Sequence, residues 1–180
     1  RQFESGTQFL YGTNTDWVGK LIEKISGMTL EQYFKKKIFK PLGIKSTYFN
    51  VPKKEFNRIV SMGNRGIDGK GQLKEIDGDE VSPNRYPKEK VNSFSGGDGL
   101  FSTPSDFTKI LKCILNYGAY KNGKLLKKET VELMMKNHIG DISLNPKGWH
   151  YDPATCCNFN GIMDGYSKWG LATLIDNTPK

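Results

Sequence analysis

Tyr11 is the first side chain in this sequence whose type and setting could do chemistry. It stands in Phe9-Leu10-Tyr11-Gly12-Thr13-Asn14-Thr15-Asp16, directly ahead of a helical pattern. A phenol has an ordinary pKa of about 10, so it serves as a base near neutral pH only where cations favour the phenolate. A tyrosine at a helix entrance also suits plain packing, with an apolar ring and a wet hydroxyl. Further along, Gly96-Gly97-Asp98-Gly99 runs through Leu100-Phe101 into Ser102-Thr103. Consecutive glycine amides can converge on an anion. Glycine equally permits the angles and close approach that turn a loop into a helix, and that structural use is the one expected here.

Two histidines, His138 and His150, lie near Asp141, Asp152, Cys156 and Cys157. Neither a Cys-x-x-Cys pair nor a helical His-x-x-x-His is present, so no metal and no other cofactor is expected. His138 reads instead as a polar residue just past a helix, where a cation suits the dipole. The stretch Gly63 to Gly71 superficially resembles a phosphate-binding loop. Its spacing fails, because five residues rather than four separate Gly63 from Gly69-Lys70, and Gly71 replaces the required Ser or Thr.

The elements that must position these residues follow from periodicity and caps. Trp17, Val18, Leu21, Ile22 and Ile25 recur at helical spacing, with Lys20, Glu23 and Lys24 on the other side and Gly27 as the stop. Thr29 with Gln32 three residues on predicts a capping box, opening a helix whose apolar stripe is Leu30, Phe34 and Ile38 and whose end is Pro41 and Gly43. Thr47 to Val51 reads as a short extended piece. Residues 57–92 read as irregular loops with one hairpin, punctuated by Asn64-Arg65-Gly66, Asp68-Gly69 and Asp77-Gly78. Thr103-Pro104-Ser105-Asp106 is a strong helix start, with Phe107, Ile110, Leu111, Ile114 and Leu115 as the expected buried face and Gly118 as the end. Asn122-Gly123 signals a tight hairpin turn, and Glu129 to Lys136 a further helix carrying Val131, Met134 and Met135. Lys168-Trp169-Gly170-Leu171 leads into a strand through Ile175.

At 180 residues the chain fits one domain, and its 36% hydrophobic content is enough for a globular core. No apolar run reaches the about 18 residues that a membrane span needs. Three cysteines, two of them adjacent, do not make a disulfide framework, and Cys113 falls on a helix's apolar face. The net charge of +8 invites a nucleic-acid hypothesis, but the lysines are scattered and no zinc-finger spacing or aromatic RNA-binding motif accompanies them. Nucleic acid is therefore not an expected partner.

Several segments match one family jointly. Phe9-Leu10-Tyr11-Gly12 with Asp16 and Gly19, Ile25-Ser26-Gly27, Pro41-Leu42-Gly43-Ile44 with Thr47 and Phe49, Gly96 to Thr103 with Asp106, and Asn122-Gly123-Lys124-Leu125-Leu126 together resemble serine β-lactamase-related hydrolases. That family joins class C β-lactamases, penicillin-binding-protein relatives and esterases, and the resemblance covers Phe3 to Asn137. It implies an α+β fold in which residues 1–180 form a partial domain. The segment would be mostly the helical subdomain plus an edge of the antiparallel sheet, with the nucleophile-bearing N-terminal part and the C-terminal strands missing.

In such enzymes a serine attacks a carbonyl to form an acyl-enzyme, a lysine one helical turn away eases deprotonation, and a tyrosine relays the proton. The resemblance makes Tyr11 that tyrosine. Many relatives carry asparagine two residues later to hydrogen-bond substrate. Thr13 takes that place here, and Asn14, one further on, becomes the substrate-binding candidate. The family's Ser-x-x-Lys nucleophile motif occurs nowhere, Ser105 coming nearest with Lys109 four residues on. Lys168-Trp169-Gly170 resembles either the family's third motif or, preferably, the strand ahead of it. The implied activity of the parent protein is acyl-enzyme hydrolysis of a small ester, amide or β-lactam, while the isolated chain is expected to be inactive. A non-catalytic scaffold of the same fold and a basic nucleic-acid-binding domain are the alternatives.

Overall fold

The computed structural model describes residues 3–9, 12–60, 63–64, 74–75, 90–144 and 166–177. The expectations for Tyr11, for His150, Asp152, Cys156 and Cys157, and for the turns at Arg65-Gly66, Asp68-Gly69 and Asp77-Gly78 lie outside them. The chain divides into two units, Thr13–Lys112 and the combination of Arg1–Gly12 with Cys113–Lys180.

In the first unit, local chemistry sets the helix ends. Helix α1 (Asn14–Ser26) stops at Gly27, whose φ of 66° is left-handed and whose N–H returns to the Glu23 carbonyl at 3.0 Å. Helix α2 (Leu30–Phe34) opens with the full capping box: Gln32 N–H donates to Thr29 Oγ1 at 3.2 Å, and Thr29 N–H donates to Gln32 Oε1 at 3.0 Å. The chain then widens into a π-helical turn (Lys35–Phe39) before α3 (Lys40–Leu42), which Gly43 closes at a φ of 64°. Pro41 has no N–H to give the preceding turn and its ring crowds the carbonyl four residues back, so a wider turn just ahead relieves both conflicts. The extra residue shifts the register, and Phe39 rather than the expected Ile38 is buried.

Leu30, Phe49 and Phe94 form the core of this unit, with Ile22 and Phe34 packed against them. Phe49 stands 5.9 Å from Phe34 and 5.0 Å from Phe94, centroid to centroid. Each such side chain contributes about 1.5–3 kcal/mol when fully buried. The extended piece expected at Thr47–Val51 pairs by backbone: Tyr48 and Phe101 exchange N–H···O bonds of 2.9 and 2.8 Å. A short 3-10 turn (Lys53–Arg58) follows. Within the region expected to be irregular, β1 (Gly63–Asn64) and β2 (Lys74–Glu75) pair antiparallel, Gly63 opposite Glu75.

Helix α4 (Pro104–Leu115) starts where expected, with Asp106 N–H donating to Thr103 Oγ1 at 3.2 Å. Its buried positions match the expectation only in part, Cys113 lying in the core as its place on the apolar face predicts. Asp106 and Cys113 are buried, Ile110 and Ile114 half-buried, whereas Phe107, Leu111 and Leu115 are exposed.

In the second unit, β3 (Ala119–Tyr120) and β4 (Gly123–Lys124) make the expected hairpin, but Tyr120 pairs with Gly123, so the turn is Lys121-Asn122. Gly118 precedes it with a φ of 84°, and a Cβ there would sit 2.3 Å from the Leu126 carbonyl oxygen. Helix α5 (Lys128–Met134) buries Val131, while Met135 is exposed. The strand expected through Ile175 is folded back on itself: β5 (Lys168–Trp169) pairs antiparallel with β6 (Leu174–Ile175). Gly170 N–H donates to Thr173 O at 2.8 Å, Leu171 N–H to Met134 O at 2.9 Å, and Ala172 takes a φ of 60°. The backbone is bound to the end of α5 and bends there.

Candidate active site

Tyr11 lies outside the described residues, but the helix that follows it is fixed in detail. Thr13 occupies the cap position of α1 with φ −81° and ψ 21°, and its side chain makes no cap bond. Its carbonyl accepts the Asp16 N–H at 3.1 Å. Asn14 is the first helical residue and is exposed, leaving its amide open to solvent.

Asp16 reaches the glycine cluster. Its Oδ1 accepts the Ser95 hydroxyl, and accepts the Gly97 N–H at 2.9 Å. Ser95 Oγ in turn accepts the N–H groups of Gly97 and Asp98 at 3.2 and 3.3 Å. The Ser95 hydroxyl and then the Gly97 N–H hold the Asp16 carboxyl below the usual carboxylate range, as hydrogen bonds to the ionised form must.

Glycine is required here by close approach rather than by turn geometry. A Cβ on Gly96 would lie 2.0 Å from the Thr15 carbonyl oxygen, and one on Gly19 would lie 3.1 Å from the Gly96 Cα. The loop lies directly on the first turns of α1, and Gly19 is buried beneath it. Only Gly99, at a φ of 81°, serves the turn into the next segment. The two segments singled out from the sequence, Asn14 to Asp16 and Gly96 to Gly99, thus form one surface.

A second carboxylate braces the far end of the glycine segment. Asp106 Oδ2 accepts the N–H groups of Ser46 and Lys45 at 2.6 and 3.1 Å, and Oδ1 accepts Lys109 Nζ at 2.7 Å. Lys109 Nζ also donates to the Gly43 carbonyl at 2.6 Å, and Thr47 Oγ1 lies 2.8 Å from Ser102 Oγ. Burial pushes the Asp106 carboxyl up, but the Lys109 ammonium and the two N–H donors outweigh it and leave the group below its ordinary value. This is a structural clamp that ties the loop after α3 to the start of α4. The pairing of Ser105 with Lys109 carries no catalytic arrangement, because Lys109 is engaged by Asp106 and Gly43.

A cavity of about 260 Å³ lies beside this clamp, lined by Tyr48, Glu55, Arg58, Phe101, Ser102 and Thr103 among others. It does not include Asn14, Asp16 or the glycines. Arg58 is paired with Glu55 at 2.6 Å. His138 is a structural residue, its Nε2 2.8 Å from the Leu133 carbonyl oxygen. No cluster of three metal-ligating side chains exists among the described residues, and no described helix is long and apolar enough to cross a membrane.

Sequence reasoning placed Asp16 and Asp106 in their motifs but gave neither its partners, and it did not single out Ser95. The only sequence signal for Ser95 is its position directly before two glycines. Asp16 and Asp106 share a signal, standing three residues after a cap threonine.

Helices together with short antiparallel ladders make an α+β chain of the β-lactamase and penicillin-binding-protein type. The Beta-lactamase family profile matches residues 1–167, and the chain belongs to that family. It is 33% identical to the lovastatin esterase of Penicillium rubens over 97% of its own length and 43% of the relative's. It is 30% identical to the monacolin J acid methylbutanoyltransferase of Aspergillus terreus over 96% of its length and 40% of the relative's. Unliganded simvastatin synthase from Aspergillus terreus superposes with a TM-score of 0.70 at 29% identity, over 95% of this chain and 40% of that one. The chain therefore spans about 40% of the length of the curated relatives it matches.

Proposed function

We propose that these residues belong to a serine acyl-transfer enzyme acting on small esters or amides, in which Tyr11 relays the proton and Asn14 hydrogen-bonds substrate. The observation that carries this reading is the tie of Asp16 to Ser95 and Gly97, which fixes the helix directly after Tyr11 on a glycine loop in a β-lactamase-family chain. The related proteins named as an esterase and acyltransferases support the ester reading. Thr13, standing where many β-lactam-active relatives carry asparagine, favours it over a β-lactam.

In the chemistry proposed, a serine from the part of the fold beyond these residues attacks the acyl carbonyl. Its proton passes through the Tyr11 oxygen to the departing alkoxide or amine, leaving an acyl-serine. Water or a second alcohol then attacks the acyl carbon, giving its proton back along the same path to the serine oxygen. The phenol must lie beside cations for this to operate near neutral pH.

The test places the whole chain in the Penicillium rubens lovastatin esterase, in exchange for the segment it matches, and assays a chromogenic ester. Turnover is expected, with Tyr11→Phe lowering kcat by about 10²–10⁴ at little change in KM. A Tyr11→Phe variant as active as its parent would sink the assignment. A second reading is a non-catalytic scaffold of the same fold. A folded chimera that binds the ester without turning it over would establish that reading instead.

A further inference from the structure

The cavity beside the Asp106 clamp has two kinds of lining. Val51, Ile59, Leu100 and Phe101 make an apolar wall, and the Tyr48 ring adds to it, its hydroxyl being committed to the Lys45 carbonyl at 2.7 Å. The polar lining includes Ser46, Thr103, Glu55 and Arg58. Glu55 and Arg58 stand three apart on the 3-10 turn, where side chains at that spacing eclipse and so come to one side. Arg58 Nη1 donates to Glu55 Oε2 at 2.6 Å. The other guanidinium N–H groups and Glu55 Oε1 have no partner among the described residues.

The two hydroxyl residues are held from behind by the clamp. Asp106 Oδ2 accepts the Ser46 N–H at 2.6 Å, and Thr103 Oγ1 accepts the Asp106 N–H at 3.2 Å. Each hydroxyl still has a proton to donate, with no acceptor for it among the described residues. Polar groups on a backbone fixed in this way form a preorganised set.

The geometry points to this cavity as a binding site for a free α-amino acid with a branched apolar side chain, distinct from the acyl-transfer site. Size sets the first limit. At the about 30 Å³ that one water takes in the liquid, 260 Å³ admits roughly nine non-hydrogen atoms, the size of leucine. Charge then decides among ligands of that size. The lining offers one cation and one carboxylate, each with unused bonding capacity, so a lone carboxylate drawn to Arg58 meets Glu55, and a lone ammonium drawn to Glu55 meets Arg58. A zwitterion laid antiparallel against the pair makes all the near contacts attractive. The Ser46 and Thr103 hydroxyls supply further donors for its carboxylate, and its side chain falls on the apolar wall. None of this depends on the role of Tyr11.

The test titrates the 180-residue chain with leucine, with 4-methylpentanoate, which lacks the ammonium, with 3-methylbutylamine, which lacks the carboxylate, and with glycine, which lacks the side chain. Amide shifts at Ser46, Arg58 and Phe101 report the cavity. Leucine should saturate them with a Kd of about 1 mM, and the other three should bind about tenfold more weakly or worse. Glu55→Gln should reduce leucine to the affinity of 4-methylpentanoate, and Arg58→Gln to that of the amine, both with circular dichroism unchanged. The ligand series on the parent chain decides the matter even where a variant fails to fold. Three results would overturn the inference: no saturable shift at about 50 mM leucine, equal affinity for leucine and 4-methylpentanoate, or leucine shifts confined to Asn14, Asp16 and the glycine loop. The last would assign leucine to the candidate active site.

Discussion

Helices α1 and α4 begin with the same pattern, a threonine at the cap and an aspartate three residues on, and use it differently. At α4 both side chains serve the fold: Thr103 accepts the Asp106 N–H, and the buried Asp106 gathers two backbone donors and an ammonium. At α1 the threonine makes no cap bond, and the aspartate is directed away from its own helix to hold Ser95 and Gly97. One start is built for stability. The other leaves its first turn open and holds a loop in place.

The sharpest way to break this comparison is to remove Asp106. Asp106→Ala should lower stability by about 3 kcal/mol, because it strands two backbone donors and a partly covered ammonium. A urea midpoint unchanged from the parent would show that the clamp is not structural. The acid limb tests the same group. Its carboxyl is held below the ordinary value of 3.8. Its contribution to stability is therefore complete above that pH and is lost as pH falls below it through the depressed folded-state value. Asp106→Asn should flatten that limb.

The pattern itself was legible in the sequence, and so were the caps at Thr29, Thr103, Gly27 and Gly43, because capping chemistry is local. Faces were not. The spacing of Trp17, Leu21 and Ile25, or of Phe107, Leu111 and Leu115, shows that a stripe exists and says nothing of what covers it. Both stripes proved exposed. The burial of Phe39 in place of Ile38 depends on a π turn that periodicity assumes away, and the fold-back at Gly170 depends on the Met134 carbonyl. At the candidate site the residue types were readable. The meeting of Asp16 with Ser95 and Gly97 was not, because the two segments are far apart along the chain and only packing joins them.

Gly96→Ala comes next in size. The added methyl would meet the Thr15 carbonyl oxygen at 2.0 Å, so the loop must lift from α1. Overpacking of this kind costs about 1–3 kcal/mol. The expected signature is a lower melting temperature together with amide shift changes at Thr15, Ser95 and Gly97. Unchanged shifts at those three would mean that the close approach is not maintained in solution.

The smallest effects separate the two helix starts most cleanly. Thr103→Ala removes an acceptor that the Asp106 N–H uses at 3.2 Å, and should lower stability by about 1 kcal/mol. Thr13→Ala removes a hydroxyl that makes no cap bond, from an exposed position, and should stay within about 0.5 kcal/mol of the parent. The two substitutions are chemically identical and sit at equivalent cap positions, so helix propensity cancels between them and the difference isolates the cap bond. Denaturant midpoints measured side by side at constant m-value decide it. Equal losses would mean that Thr13 caps α1 after all, and that the first turn after Tyr11 is closed rather than open.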